Sequence, residues 1–234
     1  LITDYLIKQW KEQGRLNGNQ YMVKTIVTTE LLKDIADKNG VEIYDVYTGF
    51  KWIAGIMLQE EGKKEFICGG EESYGFLIGD FVRDKDANSA CFMIAEIAAW
   101  AAEQNKTLYQ ILKEIYKEFG FYKEGLLSLT KKGISGSEEI KNMMYRFRND
   151  APKEILGSKI IEIKDYKTSI CKDVVSGTET IIDLPKSDVL QFFTEDGTKI
   201  SIRPSGTEPK IKFYFGIKAK LNDIADFEVV NSEL

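Results

Sequence analysis

The sequence contains no histidine. That removes the Ser-His-Asp triad, the Cys-His dyad and any His-ligated metal. Cysteine is scarce. Cys68, Cys91 and Cys171 lie far apart and form no CxxC pair, which argues against a zinc site and against a disulfide framework. They read as reduced thiols of a cytoplasmic protein, mostly filling core. No run reaches the ~18 apolar residues of a membrane span. The longest, Ala87 to Ala102, is broken by Glu96. No signal peptide opens the chain. Basic residues are not in excess: 32 face 37 acidic ones, for a formal net charge of −5. This balance argues against nucleic-acid and membrane-surface partners. Proline is nearly missing too, and all four prolines (Pro152, Pro185, Pro204 and Pro209) fall in the last third.

The 234 residues suit one large domain or two modest ones. Hydrophobic residues make up 43% and charged residues 29%, an ordinary globular mix. A chain of this length buries roughly 70–75% of its unfolded surface and needs no staples. The proline boundary suggests two domains, 1–152 and 153–234, joined at Asn149-Asp150-Ala151-Pro152, a polar run ending in a helix stopper.

Strands and helices alternate in the first segment. Ile2 to Gln13 reads as a helix with Tyr5, Leu6 and Trp10 on its apolar face. Met22 to Thr28 and Val41 to Tyr47 read as strands. Thr29 to Asn39, closed by Gly40, and Lys51 to Glu61 read as helices. Glu65 to Cys68 is a short third strand. Ala87 to Gln104 is apolar nearly all round, which predicts a buried helix. Leu108, Ile111, Leu112, Ile115, Tyr116 and Phe119 follow one helical face, with a Thr107/Gln110 capping box before them and Gly120 after. Such alternation implies an α/β sandwich. The second segment differs. Val189 to Thr194, Thr198 to Arg203 and Ile211 to Ile217 read as strands, the first two joined by a Glu195-Asp196-Gly197 turn. In the last of them Ile211, Phe213, Phe215 and Ile217 face a core and the alternating residues face water. This is a small α+β domain. Asn222 to Phe227 looks like the start of another helix.

Four segments could carry chemistry. In Arg203-Pro204-Ser205-Gly206-Thr207-Glu208-Pro209-Lys210, alternation turns Arg203 outward, and Lys212 on the return strand as well. Two cations then converge on a loop of hydroxyls and glycine, suited to clamping a phosphate. Read on residues alone, it is equally a solvated hairpin loop. In Gly69-Gly70-Glu71-Glu72-Ser73-Tyr74-Gly75, Glu71 and Ser73 project to one side and Glu72 to the other. A carboxylate beside a hydroxyl can grip neighbouring sugar hydroxyls; the plain alternative is a strand-to-helix turn with exposed acids. In Arg83-Asp84-Lys85-Asp86, Asp86 can cap the following helix and Lys85 can reach an anion. The two aspartates could also suggest magnesium, although the interleaved cations would neutralise them. In Thr48-Gly49-Phe50-Lys51, Thr48 can cap a helix and Gly49 admits close backbone approach.

Taken together and in this order, the four segments resemble the α-D-phosphohexomutase superfamily, which includes phosphoglucomutase and phosphomannomutase. The likeness extends over the whole chain. It implies the third and fourth of the family's four domains: a three-layer α/β domain with a sugar loop, then a smaller domain similar to a TATA-binding-protein half with a phosphate loop. By resemblance, Glu71 and Ser73 bind sugar hydroxyls, Thr48 and Gly49 line the same pocket, and Lys85 reaches the substrate. Arg203, Ser205, Gly206, Thr207 and Lys212 hold the phosphate that is not transferred. The family moves a phosphoryl group between C1 and C6 of a hexose phosphate, through a phosphoserine and a bisphosphorylated sugar such as glucose 1,6-bisphosphate, with Mg2+ at the serine. The family's serine is followed by histidine and its metal loop carries three alternating aspartates. This sequence has neither, so the catalytic serine and the metal ligands are expected on missing N-terminal domains, and the chain, opening on Leu1, is expected to be inactive alone. Phosphopentomutase, in the same superfamily and with a similar sugar loop, is the alternative enzyme. A stand-alone phosphosugar-binding module is the alternative from another class.

Overall fold

A computed structural model describes residues 1–131, 133–206 and 208–234. The chain divides into two compact units, 1–122 with 220–233, and 123–219 with 234.

The first unit holds a four-stranded sheet. Its strands are β1 (Gln20–Thr25), β2 (Glu42–Val46), β3 (Glu65–Gly70) and β4 (Phe76–Ile78), in the order β2-β1-β3-β4. β1 runs parallel to both β2 and β3, and β4 returns antiparallel to β3. Every residue of β1 is buried, as befits a central parallel strand covered on both faces. Alternation divides its side chains. Met22 packs with Ile7 of α1 (Ile2–Glu12), Ile35 of α2 (Leu31–Asn39), Ala101 of α4 (Ala87–Glu103) and Ile115 of α5 (Leu108–Phe119). Tyr21 and Val23 pack on the other face with Ile53 and Met57 of α3 (Phe50–Glu60). The result is a three-layer α/β/α domain.

The local signals behave as their chemistry requires. Gly40 adopts the left-handed conformation that ends α2. Thr107 and Gln110 form the full capping box of α5. Asp86 caps α4 by accepting from the backbone N–H groups of Asn88 and Ser89. Three expectations fail. α4 is not buried all round: only Ile97 and Ala101 are buried, and Phe92 is 70% exposed. Its apolar composition did not say how much of its circumference a neighbour covers. Thr48 does not cap α3; Gly49 takes that position, without a side-chain bond. Of the cysteines only Cys68 is buried.

The second unit holds a larger sheet. Its strands are β5 (Phe121–Thr130), β6 (Glu154–Ile155), β7 (Ser158–Asp165), β8 (Ile170–Asp173), β9 (Glu179–Ile181), β10 (Leu190–Thr194), β11 (Lys199–Pro204) and β12 (Lys210–Ala219). The path is β5-β12-β11-β10-β7-β8-β9, with β6 paired to β7. α6 (Gly133–Asn149) lays Ile140 and Met144 against Leu190, Phe192, Ile202 and Ile211. The polar run 149–152 thus lies inside this unit. The turn at 195–197 closes with Gly197 at positive φ and Thr194 N–H donating to Thr198 O. The opposite face is not simply wet. Gln191, Ser201 and Tyr214 are buried there, and Tyr166 Oη donates to Gln191 Oε1 while Gln191 Nε2 donates to Ser201 Oγ, both at 2.7 Å.

After β12 the chain returns to the first unit. A 3-10 turn at Ile224–Asp226 and helix α7 (Phe227–Glu233) bring Leu221 and Phe227 against Phe121. The helix expected from 222 therefore begins later. No helix among the described residues is long and apolar enough to cross a membrane.

Candidate functional site

The three parallel strands of the first unit end at one edge of the sheet, and ligand sites of open α/β sheets lie outside such carboxyl ends. β3 runs out into Gly69-Gly70 because nothing larger fits. A Cβ at Gly69 would stand 2.9 Å from Val23 O, and one at Gly70 would stand 2.6 Å from Phe76 Cδ2. The loop that follows is pinched by Glu71 N–H donating to Gly75 O at 2.8 Å. Adjacent side chains diverge as expected. Glu71 Oε1 accepts from Gly49 N–H at 2.7 Å. Glu72 Oε2 accepts from the Thr25 hydroxyl at 3.2 Å. Ser73 and Tyr74 are exposed at the crest.

The Gly49 bond joins the β2–α3 connection to the loop after β3, so the structure brings Thr48-Gly49 and Glu71 together. Gly49 has φ +119, a conformation that side-chain-bearing residues rarely adopt. That conformation turns its N–H toward the carboxylate. Glu71 keeps Oε2 and a second lone pair on Oε1 as acceptors for further donors.

Gly49 also lines a groove of about 820 Å³ together with Phe50, Lys51, Arg83, Asp84 and Lys85. Lys85 Nζ lies 3.1 Å from Asp84 Oδ1 and 5.7 Å from the Phe50 ring centre. Backbone and ammonium donors of Lys85 hold the Asp84 carboxyl below its ordinary value. Arg83 pairs with Glu61. Asp86, the N-cap of α4, is held low by its bonds from Ser89.

In the second unit, Arg203 and Lys212 stand directly opposite one another on β11 and β12, hence on one face. Among the described residues neither is paired with a carboxylate. Arg148 of the same unit, by contrast, is held by Asp165 and Asp188. Ser205 N–H donates to Lys210 O at 2.7 Å and closes the loop, and Glu208 N–H donates to Ser205 Oγ at 3.3 Å. Gly206 is exposed, and a Cβ there would meet no atom within 4 Å. Among the described residues, other than its chain neighbours, nothing crowds this glycine. Thr207 lies outside the described residues.

The loop at 69–75 falls within the range matched by one family model and the loop at 203–210 within that of another. The phosphoglucomutase/phosphomannomutase alpha/beta/alpha domain III matches residues 2–119, and the C-terminal domain of the same family matches residues 152–229. The chain belongs to the phosphoglucomutase/phosphomannomutase family. A phosphoglucomutase of Staphylococcus aureus is 39% identical over 226 residues, 96% of this chain and 40% of that protein. One from Staphylococcus haemolyticus is 34% identical over 233 residues, 41% of its length. The chain thus spans about 40% of the curated relatives it matches. The solved structures with this fold include the open form of a Paramecium phosphoglucomutase, parafusin (TM-score 0.63, 20% identity, 99% of this chain and 40% of that one). Another is a phosphomannomutase-like protein of Thermus thermophilus (TM-score 0.58, 16% identity, 99% and 40%).

Within this phosphohexomutase chain, sequence reasoning missed Lys24, Thr25 and Thr28. Lys24 is fully buried, with Nζ 2.7 Å from Asp45 Oδ1 and 3.0 Å from Glu30 Oε1. A lysine directly after the apolar run Tyr21-Met22-Val23 was the available signal. Among the described residues no group of three or more Asp, Glu or Cys side chains is gathered to hold a metal ion.

Proposed function

We propose that this chain is the substrate-recognition half of a phosphohexomutase that moves a phosphoryl group between C1 and C6 of a hexose phosphate. Glu71 and Ser73 take sugar hydroxyls, with Thr48 and Gly49 beside them. Lys85 meets the substrate from the groove at the start of α3. Arg203, Ser205, Gly206, Thr207 and Lys212 hold the phosphate that is not being transferred. The phosphoserine, the Mg2+ ligands and the attack they support are supplied from outside these residues, with glucose 1,6-bisphosphate as the intermediate. The chain contributes positioning, which accounts for a large part of phosphoryl-transfer catalysis but does not replace a nucleophile.

The observation that carries this reading is the pairing of Gly49 N–H with Glu71 Oε1, at the carboxyl ends of parallel strands. It leaves a half-buried carboxylate with acceptor capacity beside Gly75 of the same loop. Arg203 and Lys212, which have no carboxylate partner among the described residues, agree with it, since a dianion suits two such cations.

Phosphorus NMR of the chain with glucose 1-phosphate, Mg2+ and a trace of glucose 1,6-bisphosphate tests it. Substrate line broadening without glucose 6-phosphate is expected, and Arg203→Ala should remove the broadening. Turnover that Arg203→Ala abolishes would place a nucleophile within these residues and overturn the proposal.

A further inference from the structure

The sugar loop is tethered to the core from its far side. Thr25 ends β1 and is completely buried. Its Oγ1 lies 3.2 Å from Glu72 Oε2 and 2.8 Å from Thr28 Oγ1. A carboxylate accepts and does not donate, so the single Thr25 proton goes to Glu72. Thr28 must therefore donate to Thr25. The chain of bonds runs one way, from the β1–α2 connection through the last residue of the central strand to the loop, and such aligned bonds strengthen one another.

Glu72 is the residue after Glu71, and the two side chains leave the backbone on opposite sides. Fixing one fixes the peptide that aims the other. We infer that Thr25, acting through Glu72, is a positioning residue for Glu71, setting the carboxylate against Gly49 N–H before any sugar arrives. The inference rests on the proposed sugar site for its functional consequence and on the geometry alone for its structural one.

The test uses the 234-residue chain and two readouts. The first is hydrogen exchange at the Gly49 amide without ligand. The second is the affinity for glucose 1-phosphate. Thr25→Val keeps the shape and removes the hydroxyl. It should speed Gly49 exchange about tenfold and weaken glucose 1-phosphate binding by a similar factor, the worth of one hydrogen bond to a charged group. Thr25→Ser should restore both. Glu72→Ala leaves the strand core intact and should match Thr25→Val even if burying valine there disturbs folding. Gly49 exchange within twofold of the parent in both Thr25→Val and Glu72→Ala, with core amides of β1 still protected, would overturn the tether. Faster Gly49 exchange with glucose 1-phosphate affinity unchanged would overturn its role in positioning. If the parent chain fails to bind glucose 1-phosphate, the sugar-site reading falls, while Gly49 exchange still decides the tether.

Discussion

Replacing Lys24 by methionine removes the one charge wholly enclosed in the first unit's sheet, where the side chain is 0% exposed. Burial alone lowers the affinity of this ammonium for its proton and is the largest single influence. Asp45 and Glu30 together outweigh it, so the pKa is raised above 10.5. At 2.7 and 3.0 Å, with an effective dielectric of about 20, each attraction amounts to roughly 6 kcal/mol in gross terms. Taking an ion out of water costs several kcal/mol, and methionine is spared that cost. What Lys24→Met leaves behind is two carboxylates facing each other. The Asp45 side chain is 43% exposed and can turn to water, while that of Glu30 is 19% exposed and cannot do so as freely. The net loss should therefore fall below the 3–5 kcal/mol of a fully enclosed orphan charge, at about 2 kcal/mol. The assay is urea unfolding followed by tryptophan fluorescence. Trp10, Trp52 and Trp100 all lie in the first unit, so the signal reports that unit alone. Because the Lys24 pKa is raised, its contribution is complete below pH 10.5 and is lost only above it, so Lys24 protonation adds no slope between pH 6 and 9. Adding Glu30→Gln and Asp45→Asn to Lys24→Met should recover most of the loss. A Lys24→Met protein as stable as the parent would refute the reasoning, since desolvation would then equal the whole attraction.

Gly49→Ala has room for its methyl group but must hold φ +119, at a cost of order 1–3 kcal/mol. Titration calorimetry should show weaker glucose 1-phosphate binding with little change in the second unit. In the 195–197 turn, burial pushes the Asp196 carboxyl up, but bonds from Thr194, Thr198 and Ser158 outweigh it and leave its pKa lowered from 3.8. A depressed carboxyl gives stability that is full above 3.8 and is lost as pH falls through the lower native value. Acid unfolding of the β10–β11 hairpin, followed by NMR, should be shallower in Asp196→Asn.

Much of the first unit was legible because its signals are local. The run from Met22 marks β1, although the strand lies at Gln20–Thr25 and Ile26 to Thr28 form a turn rather than its end; Gly40 ends α2, and Thr107 with Gln110 starts α5. The 195–197 turn and the Arg203/Lys212 pairing followed from turn chemistry and alternation. What was not legible depends on partners distant in sequence. β5 is a strand because β12 accepts it, and it carries Lys123, Glu124 and Gly125 without a clean alternation. Three-residue β4 is too short to announce itself and exists by pairing with β3. Composition marked 149–152, the true end of α6, but could not say that α6 and β5 pack with the later strands. The direction of Glu72 was legible, but Thr25 as its partner was not, because the contact spans 47 positions.

The return of the chain to its first unit has a consequence for synthesis. Phe121 is made about a hundred residues before its covering ring, Phe227. At roughly 5–20 residues per second on a ribosome, that gap lasts roughly 5–20 seconds. Throughout it the second unit's strands are emerging while the aromatic end of α5 stays bare. Of the two units, the one that begins first is thus the last to be completed, and its closing contact waits on translation.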